Sequence, residues 1–121
     1  MKQTLLVVDD DEDLREMLKD ALERRGFHVV TAGNGMEALA ALDRIEQLGV
    51  VLLDLIMPEM NGWEFFDALR ARAGYEKTPV IVTTSAASRA PANVTRVLQK
   101  PLSLDRVVAE VQALCNAQPS P

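Results

Sequence analysis

Short apolar runs rich in β-branched residues alternate with amphipathic helical stretches along the chain, and this alternation most constrains the fold. The first run, Leu5–Val8, is apolar at every position, as expected for a strand buried on both faces. The runs predict strands over residues 5–8, 27–31, 50–54, 80–83 and 94–98. Strands of this kind that alternate with helices form a parallel sheet covered by helices on both faces. The sequence therefore predicts an α/β fold.

The stretches between the runs carry apolar residues at helical spacing, and their ends carry the usual signals. Gly26 is the predicted stop of the first helix, and Ser103 is the predicted N-cap of the last. Residues 85–93 show no clear period and contain Pro91, so we expect a loop or about one helical turn there. The expected domain spans residues 1–115, and residues 116–121 are expected to form a tail or linker stub.

Length and composition restrict the class of protein. A chain of 121 residues fits one domain, and 48% apolar with 26% charged residues is typical of a soluble globule. No apolar run approaches the ~20 residues of a membrane span, and the short start is not a signal peptide. A single cysteine, Cys115, fits a reducing compartment. The net charge of -5 argues against a broad nucleic-acid surface. We expect a cytoplasmic domain without direct membrane or nucleic-acid contact.

Acidic, hydroxyl and lysine side chains follow the predicted strands where they end. Asp9 and Asp10 end the first strand, and Asp54 ends the third. A hydroxyl cluster at 83–85 ends the fourth, and Lys100 follows the fifth. In open parallel sheets the ligand site lies outside the carboxyl ends of the strands, where the strand order reverses. These side chains are therefore expected at one edge of the sheet.

This set of residue types points to phosphoryl transfer. Crowded carboxylates repel one another unless a cation lies between them, and oxygen ligands favour Mg2+. An aspartate can act as a nucleophile and form an aspartyl phosphate, whose oxygens a metal and a cationic side chain neutralise. We interpret Asp9 and Asp10 as metal ligands. Asp54 is the predicted phosphoacceptor, and Lys100 the predicted cation.

Other interpretations exist at several positions. The acidic residues 11–13 are expected to serve only the start of the first helix. Lys100 could be a solvated lysine beside a turn proline. Thr84 is the favoured hydroxyl, although Thr83 or Ser85 could supply it.

Five ordered motifs resemble the receiver domain of two-component response regulators. They are residues 6–10, 53–58, 61–62, 79–84 and 100–101, and together they span nearly the whole chain. The ordered set is specific, although each piece alone is weak. The resemblance implies a flavodoxin-like, doubly wound five-stranded parallel sheet of order 2-1-3-4-5. Because the segment from Thr84 to Lys100 is shorter than usual in this family, the fourth helix is expected to be shortened.

The resemblance also implies roles and partners. Asp54 would receive its phosphoryl group from the phosphohistidine of a sensor histidine kinase or phosphotransfer protein. Asp10, Asp54 and the backbone carbonyl of Ile56 would contact Mg2+, with Asp9 acting largely through water. The signal would pass to an effector domain or a downstream protein by conformational change.

The end of the chain both matches the family and departs from it. Thr84 matches the family's switch hydroxyl, Lys100 its phosphoryl-pairing lysine, and Pro101 its cis-forming proline. Receivers usually carry an aromatic residue three positions before the lysine, where this chain has Val97. We therefore expect output through a different surface or a rearranged loop within residues 85–93.

Two other functions would be compatible with the same fold and would differ from a signalling domain controlled by phosphorylation. An atypical receiver would keep the fold and act as a protein-binding module, but the complete set of site residues argues against it. A Mg2+-dependent phosphohydrolase would need an acid or base near the nucleophile, typically an aspartate two residues later, where Ile56 stands.

Overall fold

Strands and helices alternate in the computed structural model, which describes residues 3–57, 59–85 and 89–117. The strands are β1 (Thr4–Val8), β2 (His28–Ala32), β3 (Leu48–Asp54), β4 (Val80–Thr84) and β5 (Arg96–Gln99). The helices are α1 (Glu12–Glu23), α2 (Gly35–Leu42), α3 (Gly62–Ala71) and α4 (Leu104–Ala117). No helix in this described part of the chain has the length and apolar character needed to cross a membrane.

The strands form one parallel sheet in the order β2-β1-β3-β4-β5. This order confirms the expected doubly wound, flavodoxin-like architecture. The chain moves outward from β1 to β2, returns to β3 on the other side of β1, and then continues outward to β5. The order therefore reverses between β1 and β3, and their carboxyl ends form the switch point where ligands bind in such sheets.

Two apolar layers hold helices against the two faces of the sheet. Successive strand residues point to opposite faces, so alternate positions enter different layers. One layer joins α2 and α3 to the sheet through Ala38, Ala41, Leu42, Phe65, Phe66, Leu69 and the strand residues Leu6, Val8, Val51, Leu53, Val80 and Val82. The other joins α1 and α4 to it through Leu18, Leu22, Val107, Val108, Val111 and the strand residues Leu5, Val7, Val50, Leu52 and Ile81. Strands buried on both faces explain the continuous apolar runs.

The residues predicted to begin or end helices have the expected hydrogen bonds and backbone conformation. The Asp11 side chain accepts a hydrogen bond from the Leu14 N–H at 3.1 Å, which confirms that the acidic run serves the start of α1. The Ser103 hydroxyl accepts one from the Arg106 N–H at 3.3 Å before α4. Gly26 has a φ of 92°, a conformation that favours glycine and lets the chain turn from α1 into β2.

Several element boundaries differ from the sequence-based expectation, whereas the segment between β4 and β5 agrees with it. The described residues between β4 and β5, 85 and 89–95, contain no α-helix, in keeping with the shortened fourth helix. Strand β5 begins at Arg96 rather than at residue 94, because the Val94 N–H turns back to the Pro91 carbonyl at 3.5 Å. Helix α4 runs through Ala117, two residues into the expected tail. The rest of that tail, 118–121, lies outside the described residues.

Candidate functional site

The carboxyl ends of β1, β3 and β5 bring two acids and one lysine together. Asp9 directly follows β1, Asp54 is the last residue of β3, and Lys100 directly follows β5. The Lys100 Nζ lies 3.0 Å from Asp9 Oδ2 and 3.5 Å from Asp54 Oδ2. Because β5 is an edge strand, the long lysine side chain must reach past β4 to meet these acids.

Asp10 completes a cluster of three carboxylates. One oxygen each from Asp9, Asp10 and Asp54 lies within 4.8 Å of the other two. Asp9 and Asp54 are 1% and 5% exposed, whereas Asp10 is exposed to solvent. Three anionic oxygens beside one ammonium group leave an excess of negative charge. The donor set therefore fits a hard divalent cation that keeps part of its water shell, as Mg2+ does.

The two aspartates at the end of β1 are held differently. Both carboxylate oxygens of Asp9 are engaged: Oδ1 accepts from the Asp11 N–H at 2.9 Å, and Oδ2 accepts from Lys100. Among the described residues, no hydrogen bond holds the Asp10 carboxylate. The Asp10 carboxylate is therefore less constrained than that of Asp9, and the way in which each would contact a metal stays a prediction.

The surroundings of Asp54 change the pKa of its carboxyl group. Burial, followed by the negative charges of Asp9 and Asp10, raises its pKa from 3.8 to about 6. The Lys100 charge and a hydrogen bond from the Ile56 N–H, 3.3 Å from Oδ1, oppose this rise.

Lys100 keeps its positive charge inside the cluster. Burial alone would lower its pKa, but the hydrogen bond to Asp9 and the charges of Asp9 and Asp54 outweigh burial, and the net pKa is raised. The ammonium group is therefore available to pair with an anionic group at Asp54.

The remaining predicted site residues lie at the same edge. Thr84 is buried at the end of β4, and its carbonyl accepts a hydrogen bond from the Lys100 N–H at 2.9 Å. The alternative Thr83 is also buried and pairs with Asp54 across the strands, whereas Ser85 is exposed. The peptide bond between Lys100 and Pro101 is cis, as the resemblance implies. The roles of the Thr84 hydroxyl and the Ile56 carbonyl stay predictions.

Arg15 contacts the site loop and was not among the predicted residues. Its Nη1 donates a hydrogen bond of 2.8 Å to the backbone carbonyl of Asp9. A sequence signal was present, because a basic residue near the start of a helix opposes the helix dipole and needs a local reason. Side chains in α-helices lean toward the N-terminus, which directs Arg15 back toward the preceding loop.

The segment between β4 and β5 is attached to α3. The Trp63 indole N–H donates a hydrogen bond of 2.9 Å to the Arg89 carbonyl. Ala90 and Val94 pack against the same apolar layer as Trp63. Val97, at the position of the family's usual aromatic residue, is 37% exposed.

Comparison with known proteins gives a family of receiver domains and related regulatory proteins. The sequence model of the response regulator receiver domain matches residues 5–112. The transcriptional regulatory protein CpxR of Escherichia coli is 42% identical over 84 residues, which cover 69% of this chain and 34% of CpxR. The chemotaxis protein CheY homolog of Campylobacter jejuni is 40% identical over 87 residues, covering 71% of this chain and 67% of that protein.

Solved structures agree with these matches. The chemotaxis response regulator CheY4 of Vibrio cholerae superposes with a TM-score of 0.83 at 30% identity, over 94% of this chain and 99% of that one. The chain spans about a third of the length of CpxR, so it corresponds to one part of that relative. Because the family match extends over residues 5–112, almost the whole described chain, the chain belongs to the response regulator receiver domains of two-component systems.

Proposed function

We propose that Asp54 accepts a phosphoryl group from the phosphohistidine of a sensor histidine kinase or phosphotransfer protein, in a reaction that needs Mg2+. One observation carries the proposal: the ionisable Asp54 carboxylate lies in a cluster with Asp9 and Asp10, 3.5 Å from the Lys100 ammonium. A nucleophile, a cation-binding acid set and a fixed positive charge are the parts that phosphoryl transfer to aspartate requires.

The chain's own residues account for the steps of the transfer. An Asp54 carboxylate oxygen attacks phosphorus, a new oxygen–phosphorus bond forms, and the nitrogen–phosphorus bond of the donor breaks, returning the electron pair to the imidazole. Asp10, Asp54 and the backbone carbonyl of Ile56 would hold Mg2+, with Asp9 acting largely through water, and the bound ion would neutralise charge on the phosphoryl oxygens. Lys100 would move its ion pair from Asp54 to the transferred group. The chain then acts only on itself, without a turnover substrate, and is not an enzyme in the usual sense.

Two kinds of output are known among the relatives. CpxR is named a transcriptional regulator and the CheY homolog a chemotaxis protein. We propose that the signal passes to an effector domain or a downstream protein. Direct contact of this domain with nucleic acid is not proposed, because a net charge of -5 disfavours a nucleic-acid surface.

Intact-mass measurement tests the proposal. Incubation with Mg2+ and acetyl phosphate is expected to add one phosphoryl group to the native chain. Asp54→Asn should remove the gain completely, whereas Asp67→Asn, an exposed aspartate of α3, should leave it unchanged. Omission of Mg2+ should suppress it. No gain in the native chain would favour a binding module, and rapid turnover of generic phosphoesters would favour a hydrolase.

Phosphorylation is expected to alter residues 89–95 more than Val97. Val97 offers no aromatic ring to turn between buried and exposed positions, whereas the segment after β4 is attached to α3 at Arg89. Backbone amide chemical shifts, compared with and without the phosphoryl group, measure the effect residue by residue. Changes centred on Val97, with residues 89–95 unaffected, would contradict this route.

A further inference from the structure

Arg15 of α1 lies beside the loops that follow β1 and β2. Its Nη1 donates to the Asp9 carbonyl at 2.8 Å. The guanidinium also lies against Gly33, directly after β2, where an added Cβ would stand 3.2 Å from Nη1. The side chain is half-buried. Arg15 therefore lies against Gly33, the residue that follows β2, while it donates a hydrogen bond to the loop that carries two acids of the cluster.

The hydrogen bond from Arg15 also fixes the orientation of the peptide unit between Asp9 and Asp10. The Asp9 carbonyl belongs to the peptide unit that joins Asp9 to Asp10, and a peptide unit is planar. On the other side of the residue, the Asp9 N–H donates to the Ala32 carbonyl at 3.1 Å. Since no hydrogen bond from the described residues holds the Asp10 carboxylate, the direction of Asp10 depends on the orientation of this peptide.

We propose that Arg15 is a positioning residue for divalent-cation binding, because it holds the peptide from which Asp10 reaches the carboxylate cluster. The inference rests on the proposed function, in which that cluster binds Mg2+. A guanidinium donates a charge-assisted hydrogen bond, which is stronger than a neutral one and fixes geometry better. Partners that orient metal ligands commonly set metal affinity although they do not touch the ion.

The positive charge of Arg15 and its positioning of Asp10 predict opposite changes in Mg2+ affinity when Arg15 is replaced. The positive charge of Arg15 repels a cation, so its removal should tighten Mg2+ binding if charge alone matters. If the positioning role dominates, its removal should weaken binding, because Asp10 loses its fixed direction. The sign of the change therefore separates the two causes.

The experiment is a titration of the apo chain with MgCl2, followed by backbone amide shifts. Arg15→Met is expected to raise the dissociation constant by roughly 10- to 100-fold. Lys19→Met, one helical turn further along α1 and also half-buried, makes the same charge change away from the loop and should leave the constant unchanged or slightly lower. Arg15→Lys, which keeps the charge and a donor, should fall between native and Arg15→Met.

A second measurement distinguishes positioning from a general structural defect. At saturating Mg2+, the rate of Asp54 phosphorylation in Arg15→Met should return to near the native value, because Asp54 and Lys100 are unchanged. Circular dichroism in the presence of a chelator checks the fold; if Arg15→Met does not fold, the weaker binding of Arg15→Lys relative to native decides the question.

An Arg15→Met chain that binds Mg2+ as tightly as the native chain, or more tightly, would overturn the inference while leaving the proposed function intact. Failure of the native chain itself to bind Mg2+ would overturn both.

Discussion

Replacing Gly62 with alanine is expected to lower the free energy of unfolding by about 3 kcal/mol, near the upper end of overpacking costs. A Cβ at this position would lie 2.4 Å from the Asp54 carbonyl oxygen and 2.6 Å from the Leu55 Cα. Both obstacles are backbone atoms, so no side chain can move aside. The start of α3 must separate from the end of β3, which also stretches the 2.9 Å hydrogen bond from the Gly62 N–H to the Leu55 carbonyl.

Urea denaturation measures this loss, and phosphorylation measures its local consequence. Since the displaced backbone is that of Asp54, the Gly62→Ala chain should also be phosphorylated more slowly under conditions where it is folded. Gly26→Ala is the matched control: apart from its chain neighbours, no atom of the described residues lies within 4 Å of its added Cβ, and its φ of 92° alone should cost about 1–2 kcal/mol. That control should keep the native phosphorylation rate. Native stability in Gly62→Ala would show that α3 can shift without cost.

Replacing Asp54 with asparagine is expected to stabilise the chain at pH 8 by up to about 3 kcal/mol, since each pKa unit corresponds to about 1.4 kcal/mol. Burial and the neighbouring acids raise the Asp54 pKa from 3.8 to about 6 on folding. Between these values the folded chain binds a proton that the unfolded chain has released. The stability of the native chain therefore falls as pH rises through this window, and the full cost is present above pH 6. Asparagine does not titrate, so the Asp54→Asn chain does not undergo this loss of stability.

Guanidinium denaturation of both chains across pH 4 to 8 tests this titration. The advantage of Asp54→Asn should be small at pH 4, grow toward pH 6, and level off above it. Asp67→Asn, exposed on α3, should show no comparable pH-dependent gain. Saturating Mg2+ at pH 8 should stabilise the native chain more and narrow the gap, because a ligand of the folded state adds to its stability. A gain of equal size at every pH would assign the effect to packing instead.

The strand ends were predictable because their signals are local. A continuous apolar run followed by an acid identifies the end of a buried strand, and the parallel arrangement places all such ends on one edge. Asp9, Asp54 and Lys100 meet there as expected. The strand order was different in kind: it came from the family resemblance, since no local pattern states which strands are neighbours.

The differences concern a turn, a helix end and a contact between a side chain and the backbone, none of which the hydrophobic pattern specifies. Val94 belongs to an apolar run, but its N–H donates a hydrogen bond to the Pro91 carbonyl, and β5 begins two residues later than predicted. Asn116 and Ala117 remain helical because nothing in their local sequence stops α4 before Pro119. The place of Arg15 near the start of α1 was a signal in the sequence, but only the fold reveals the carbonyl that it contacts.

The alternation of strands and helices, the parallel class of the sheet, and the group of acids and one lysine at its carboxyl edge follow from the amino-acid sequence. Hydrophobic period and residue type are local properties, and they carried that information. The assembled fold was needed to show that Asp9 is buried while Asp10 is exposed, that the Asp54 pKa is raised, and that Lys100 reaches an acid 91 residues earlier in the chain. Burial and electrostatic coupling depend on which distant residues become neighbours, and that arrangement exists only once the sheet has assembled.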